Sequence, residues 1–413
     1  MGFLKEHKFS EGRIQVHAAW TRDEIFAAVE EGLDAFAHRL PLEPDARILL
    51  KPNLNNDLVA LVGNSTDLRV LAALIEGLQN RGYTEVVLAD GANVGVDRRG
   101  IDGFARLRVD RLAERYGIAL LNLNETEGLP LPLEAGALPL VSKDVLEAAC
   151  LISVPTVKTH AEMVLSCAMK NWVGIVRGQD KRQVHYALAA NIHALNEAVV
   201  PDLVFVDGVI GMEGNGPGDG DPFRLGRVLV SDSVAITDLT VCRMLGLDPA
   251  GVPALACALE AGSVSQELVA AVAAAVSQVH KVRLPPKRSR LARLAEAPSL
   301  RRLKKAVQPL LLEGPLLKSA YRFGVVQDVY SLEDDTVTGV SRAQEDCGTC
   351  NACADVCPTG LKVEEIGIKT EMPDCIGCLY CWWVCPDDTI SLVGEPGHLT
   401  RQIERYREAV RGL

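Results

Sequence analysis

The 413-residue chain lacks an apolar run long enough to cross a bilayer, and its alanine- and valine-rich stretch "LVAAVAAAVSQV" at 268–279 stops well short of one. It does not open on the basic start, apolar core and small-residue cleavage site of a secretory leader, so the sequence reads as cytoplasmic. Excess positive charge is missing too. A net charge of −11 argues against nucleic acid as a partner, because phosphate contacts need a basic footprint. Finally, there is neither a G-K-[ST] loop nor a G-x-G-x-x-G run into a helix, so no nucleotide or flavin motif is recognised.

Cysteine, by contrast, is abundant and ordered. Cys347, Cys350, Cys353 and Cys357 follow C-x2-C-x2-C-x3-C-P, and Cys375, Cys378, Cys381 and Cys385 repeat it 28 residues later at every position. Thiolates suit iron, and two-residue gaps let three sulfurs from one loop cap three corners of a cubane. Zinc sites instead pair one C-x2-C with a distant second pair. In the two-cluster bacterial pattern the fourth cysteine of each run ligates the other cluster. That pattern predicts one 4Fe-4S cluster on Cys347, Cys350, Cys353 and Cys385, and a second on Cys375, Cys378, Cys381 and Cys357. The segment closely resembles the bacterial two-cluster ferredoxins. It is also acidic, with nine Asp or Glu and two Lys between Glu345 and Val393. The remaining Cys150, Cys167, Cys242 and Cys257 are too dispersed for a disulfide framework and read as small buried hydrophobes.

The first 260 residues alternate short apolar runs with longer amphipathic ones. "RIQVHAA", "ARILLKPNL", "TEVVLAD", "IALLNLN", "ACLISVPTV" and "PDLVFVDGV" read as strands, most of them continuously apolar as buried parallel strands are. Between them, 67–80 spaces Leu68, Leu71, Leu74, Ile75 and Leu78 as a helix, with capping oxygens at Ser65, Thr66 and Asp67. The expected fold is α/β, a mostly parallel sheet flanked by helices, with a helical connector and a small C-terminal α+β ferredoxin-like iron-sulfur domain. The boundaries read from composition are an α/β unit at 1–262, a basic connector at 263–344, the cysteine module at 345–393 and a C-terminal helix at 394–413. Within the connector, His280 to Lys305 holds ten Lys or Arg and one Glu, and Leu300, Leu303, Val307 and Leu310 form an apolar stripe.

Ligands of such sheets bind near the carboxyl ends of strands, and polar residues gather there. Lys51, Asn53 and Asn55 follow one strand, Asp90 and Asn93 the next, Lys158, Thr159 and His160 another, and Asp207 the last. Lys158, His160, Lys170, Arg177, Lys181, Arg182 and His185 fall within 28 residues, opposed by Glu162 and Asp180. Lysines can hold a carboxylate or phosphate and a histidine can move a proton, which suits a small anionic substrate that is reduced and protonated. Each of these residues read alone fits a solvated helix face or a structural hydrogen bond as well. "GMEGNGPGDGDP" carries five glycines, but Asp219 and Asp221 would repel phosphate, so it reads as a flexible turn with Glu213 as a candidate acid or metal ligand.

"LLKPNL", "VPTVKTH", "AMKNWVGIV", "VDGVIGMEGNGP" and "SDSVAITDLTVCRMLG" together resemble the family catalogued as domain of unknown function 362, over roughly residues 46–250. Several members carry a similar ferredoxin segment at the C-terminus. The resemblance implies motif positions rather than a reaction: Lys51, Asn53, Lys158, His160, Lys170, Asn171, Asp207, Glu213 and Gly214 occupy them. His160, Lys158 and Lys170 are the catalytic candidates, and Lys51, Asn53, Asn171, Asp207 and Glu213 the substrate-binding ones. Three functions follow: an iron-sulfur oxidoreductase that passes electrons to the anionic substrate, a carrier that docks a redox partner protein, or a non-redox α/β enzyme with structural or sensing clusters.

Overall fold

The computed structural model describes residues 4–286, 330–345, 347–348, 350–368 and 374–413. The apolar stripe from Leu300 to Leu310, and the connector's basic residues from Lys287 on, lie outside them. A ten-stranded mixed sheet forms the centre. Strands β1 (Leu4–Phe9) and β2 (Gly12–Ala18) make an antiparallel hairpin at one edge. From β3 (Ile48–Pro52) the chain runs outward through β4 (Val86–Asp90) to β5 (Ala119–Asn122), all parallel. A short hairpin of β6 (Gly128–Pro130) and β7 (Leu140–Ser142) intervenes. The chain then returns to the other side of β3 with β8 (Cys150–Val154), also parallel. Strand order thus reverses between β3 and β8, which is where open α/β sheets bind their ligands.

The six sequence-read strands all exist, with two differences. "ACLISVPTV" is two strands rather than one. Pro155 has no N–H for the ladder, so β8 ends at Val154 and β9 (Thr156–His160) moves along to pair with the far part of β11 (Leu203–Asn215). A short β10 (Val164–Ser166) folds back on β9. Second, the glycine-rich run is mostly strand. Residues Gly211 to Asn215 finish β11, and Asp219 starts β12 (Asp219–Ser231), its antiparallel partner. Its glycines serve close packing: a Cβ at Gly211 would stand 2.6 Å from the Phe223 ring, and one at Gly216 would stand 2.3 Å from the Thr159 carbonyl oxygen.

Side chains alternate between two faces. Ile48, Leu50, Leu88 and Ile152 join one core with helices α1 (Arg22–Ala35) and α2 (Leu68–Asn80). Leu49, Ala89, Leu151 and Val204 join the other, beneath the helices Leu188–Ala198, Val234–Leu245, Pro253–Ala261 and Gln266–Ala275. Helix α1 starts in a capping box of Thr21 and Glu24. Of the three expected caps on α2, Asp67 alone fills the role, accepting from the Arg69 N–H at 2.8 Å. Ser65 and Thr66 donate instead to the carbonyls of Leu58 and Val154.

The C-terminal region is small and built on the duplication. Strand β13 (Gly339–Arg342) pairs antiparallel with β14 (Ile390–Val393). The short helices Ala352–Asp355 and Tyr380–Val384 start 28 residues apart, at equivalent places in the two cysteine runs. The last helix, Leu399–Arg411, returns to the α/β unit, where Gln402 donates to the Asp57 carbonyl at 2.8 Å and accepts from the Val59 N–H at 3.0 Å.

Candidate functional site

The crevice between β3 and β8 is filled by polar side chains buried almost completely. Lys51, at the end of β3, lies beside Ser153 of β8 and donates to Asp90 Oδ1 at 2.6 Å, the Pro52 carbonyl at 2.8 Å and Asn171 Oδ1 at 3.2 Å. Asp90, at the end of β4, also accepts from the N–H groups of Leu54 at 2.6 Å and Gly91 at 2.8 Å. Asn171, on the short helix Ala168–Asn171, donates to the Lys51 carbonyl and to Ser153 Oγ, each at 3.1 Å. Asn53 donates to Asn171 Oδ1 at 3.1 Å and accepts from Lys158 Nζ at 2.7 Å. Lys158 also donates to the Asn64 carbonyl. Lys51, Asn53, Asn171 and Lys158 are therefore one hydrogen-bonded network, assembled from residues up to 120 positions apart.

Lys181 belongs to the same crevice, its ammonium on Asn124 Oδ1 beyond β5. Lys51, Lys158 and Lys181 are 1%, 2% and 3% exposed. Burial drives all three pKa values down: Lys158 to about 7, with Lys170 and Lys51 adding to the effect and Asp90 and Asp207 opposing it, and Lys181 to about 7 against Asp90. Lys51 is lowered by burial and held back by its contact with Asp90. Half-buried Lys170 is lowered to about 8, with Glu162 opposing. The crevice thus gathers several lysines around Asp90, with Asp207 and Asp97 acting on Lys158 and Lys181 respectively. Lysines that titrate near neutrality can also hand over a proton.

The other candidates are placed differently. His160 ends β9, and its Nδ1 accepts from the N–H groups of Glu162 at 3.1 Å and Met163 at 3.2 Å. A ring nitrogen that accepts carries no proton, so the hydrogen of His160 sits on Nε2 in this arrangement. Asp207 clasps α2: its oxygens accept from the Asp67 N–H at 2.8 Å and the Val209 N–H at 3.1 Å, and burial beside Asp67 raises its carboxyl to about 7. Glu213 faces away from the lysines. Burial would raise its pKa, but bonds from Arg283 (N at 3.0 Å, Nε at 2.6 Å) and His280 at 2.9 Å prevail and lower it. Asp90 and Lys181 were visible in the sequence, as a carboxylate at a strand end and a lysine in the basic stretch, yet nothing there singled them out.

Cys357, Cys375, Cys378 and Cys381 line one cavity whose other walls include Val340, Leu361, Ile376 and Leu379. Cys357 Sγ accepts from the Leu361 N–H at 3.3 Å, and Cys385 Sγ lies 3.4 Å from Thr389 Oγ1. Among the described residues no three His, Cys, Asp or Glu side chains converge tightly enough for a single metal ion. A four-sulfur cavity fits a broader group, since a cubane sets its ligands further apart than one ion does. Cys350 is exposed, while Cys353, Cys357 and Cys385 are buried. Tyr380, between Cys378 and Cys381 in sequence, accepts through its hydroxyl oxygen from the Leu68 N–H of α2 at 3.1 Å. Of the four other cysteines, Cys150, Cys167 and Cys242 are buried as expected and Cys257 is half-buried.

Fold and site together define an α/β protein with a lysine-lined crevice at the sheet's switch point and a cysteine-rich module packed on one face. Residues 48–243 match the family described as Domain of unknown function (DUF362), whose motifs the sequence resembles. A thylakoid-associated protein of Synechocystis is 29% identical over 238 residues, 52% of this chain and 68% of that protein. A probable anaerobic dimethyl sulfoxide reductase chain, YnfG of Escherichia coli K12, is 34% identical over 70 residues, 16% of this chain and 34% of its own length. The match therefore spans about a third of that reductase chain. No helix among the described residues is long and apolar enough to cross a membrane.

Proposed function

We propose that the chain is an iron-sulfur oxidoreductase that delivers electrons to a small anionic substrate bound at the switch-point crevice. The observation that carries this reading is the lysine network itself. Lys51, Lys158 and Lys181 remain buried around Asp90, although burying an ammonium is costly and a merely structural crevice would be cheaper with neutral side chains. Two 4Fe-4S clusters would be held by Cys347, Cys350, Cys353 and Cys385 and by Cys357, Cys375, Cys378 and Cys381. They would supply single electrons. The chain's own residues do the rest: Lys170 and Lys181 attract and orient the anion, Lys158 gives up a proton from Nζ, and Asn53 and Asn171 fix the lysines. The similarity of a stretch of this chain to a reductase subunit agrees with a redox role.

Protein purified without oxygen should hold about eight irons and eight labile sulfides per chain. Four irons, or stoichiometric zinc, would overturn the cofactor assignment. A panel of small carboxylates and oxyanions is then tested for reoxidation of the dithionite-reduced protein. At least one should reoxidise it, and at least tenfold more slowly in Lys170→Ala of equal iron content. No reactive anion, or equal rates, would remove the substrate site.

A further inference from the structure

The two cysteine runs are equivalent in their sulfurs and unequal between them. Where the first half has Ala352, Ala354 and Asp355, the second has Tyr380, Trp382 and Trp383. Tyr380 and Trp383 are each 1% exposed, and they fill the seam with the α/β unit beside Val59, Ala60, Arg106 and Arg108. Further contacts tie the α/β unit to the neighbourhood of Cys357, Cys375, Cys378 and Cys381. A Cβ on Gly377 would stand 2.4 Å from Arg111 Nη1, and Arg115 pairs with Asp374 at 2.7 Å. Arg22 donates to the carbonyl of Pro358, just past Cys357, at 3.3 Å. All three arginines belong to the α/β unit. The other sulfur set reaches the surface at Cys350, and its nearby charges include Arg342 by Cys353, Asp387 by Gly348 and Arg411 by Cys385, none of them from the α/β unit.

The geometry points to a fixed direction of electron flow, resting on the oxidoreductase reading. Electrons enter at the set Cys347, Cys350, Cys353 and Cys385 and leave from the set Cys357, Cys375, Cys378 and Cys381, across the Tyr380–Leu68 contact, toward the lysine crevice. Each transfer moves one electron and makes or breaks no bond. The donor, a reduced ferredoxin- or flavodoxin-type protein, loses one electron at Cys350, and the crevice side gains one. Tyr380 and Arg111 are positioning residues. The Tyr380 hydroxyl holds α2 against the inner sulfurs, and the Arg111 guanidinium favours the more negative, reduced state beside it.

The test uses the full chain, prepared anaerobically, with potentiometric EPR on wild type, Arg111→Gln, Tyr380→Phe and Cys350→Ser. Arg111→Gln should lower the midpoint potential of one cluster and leave the other unmoved. Cys350→Ser should spoil the other cluster and slow reduction by a two-cluster ferredoxin at least tenfold, while dithionite still reduces the remaining one. Tyr380→Phe should keep full iron and the melting temperature within a few degrees, yet alter the spectrum of the cluster that Arg111→Gln shifts. The direction is overturned if Cys350→Ser and Arg111→Gln affect the same cluster. Ferredoxin reducing Cys350→Ser as fast as wild type overturns it too, as does an unaltered spectrum in Tyr380→Phe. Failure of the underlying reading looks different, as wild-type protein without two clusters.

Discussion

Replacing Lys158 by Met keeps an unbranched side chain of similar bulk and removes the ammonium. In the native protein burial lowers the Lys158 pKa from 10.5 to about 7, which corresponds to about 5 kcal/mol of destabilisation whenever the pH is below both values. Between them the unfolded chain binds more protons at this site than the folded one, so stability rises with pH across the window. From about pH 6 to about pH 9.5 the recovered amount is about 3 kcal/mol. Lys158→Met loses the bonds to Asn53 Oδ1 and the Asn64 carbonyl, a cost of about 1–3 kcal/mol that is nearly independent of pH. Urea unfolding without oxygen, followed by far-ultraviolet circular dichroism at four pH values, should therefore give converging curves. The variant compares best with wild type at pH 6 and falls about 3 kcal/mol behind that comparison by pH 9.5. Lys170, if relieved by the substitution, adds with the same sign. Parallel stability curves would refute a buried, proton-exchanging Lys158.

Three further outcomes test the same crevice. Asp90→Asn leaves the Lys51 ammonium buried without its carboxylate, so urea unfolding should show a loss of about 3–5 kcal/mol that shrinks as pH rises and Lys51 deprotonates. Gly174→Ala would put a Cβ 2.5 Å from Asp90 Oδ1 and 2.6 Å from Lys51 Nζ, costing about 1–3 kcal/mol, whereas Gly218→Ala, with open space around it, should stay within about 0.5 kcal/mol in the same assay. Glu213→Gln should leave anion-driven reoxidation unchanged and cost less than about 1 kcal/mol, because its Arg283 partner is largely in solvent; a tenfold slower reoxidation would return Glu213 to the active site.

Much of the framework is legible in the sequence because parallel strands buried on both faces are continuously apolar. The polar residues at or near their ends, Lys51 and Asp90, therefore stand out at the boundary of each run. The network among Lys51, Asn53, Lys158 and Asn171 was foreseeable as a gathering but not as a set of bonds. Strand order, which brings β8 back beside β3, decides which ends meet. Strand β12 escaped notice since Gly and Asp are poor strand formers in isolation, and it is the pairing with β11 that makes them extended. The Tyr380–Leu68 bond spans 312 residues and depends on where an aromatic side chain lands, which no local pattern encodes.

Cys357, Tyr380, Trp383 and Tyr406 share one continuous apolar core with Ile25, Leu71 and Ile152. Hinged redox proteins swing a tethered carrier between donor and acceptor, and their turnover is set by that excursion. Here the joint between sulfur cavity and crevice is solid packing, closed from the far side by Gln402 on the last helix. On the proposed electron-transfer reading, the interval between cavity and crevice is consequently frozen into the architecture, and any substitution that loosens the seam would act as a change of distance.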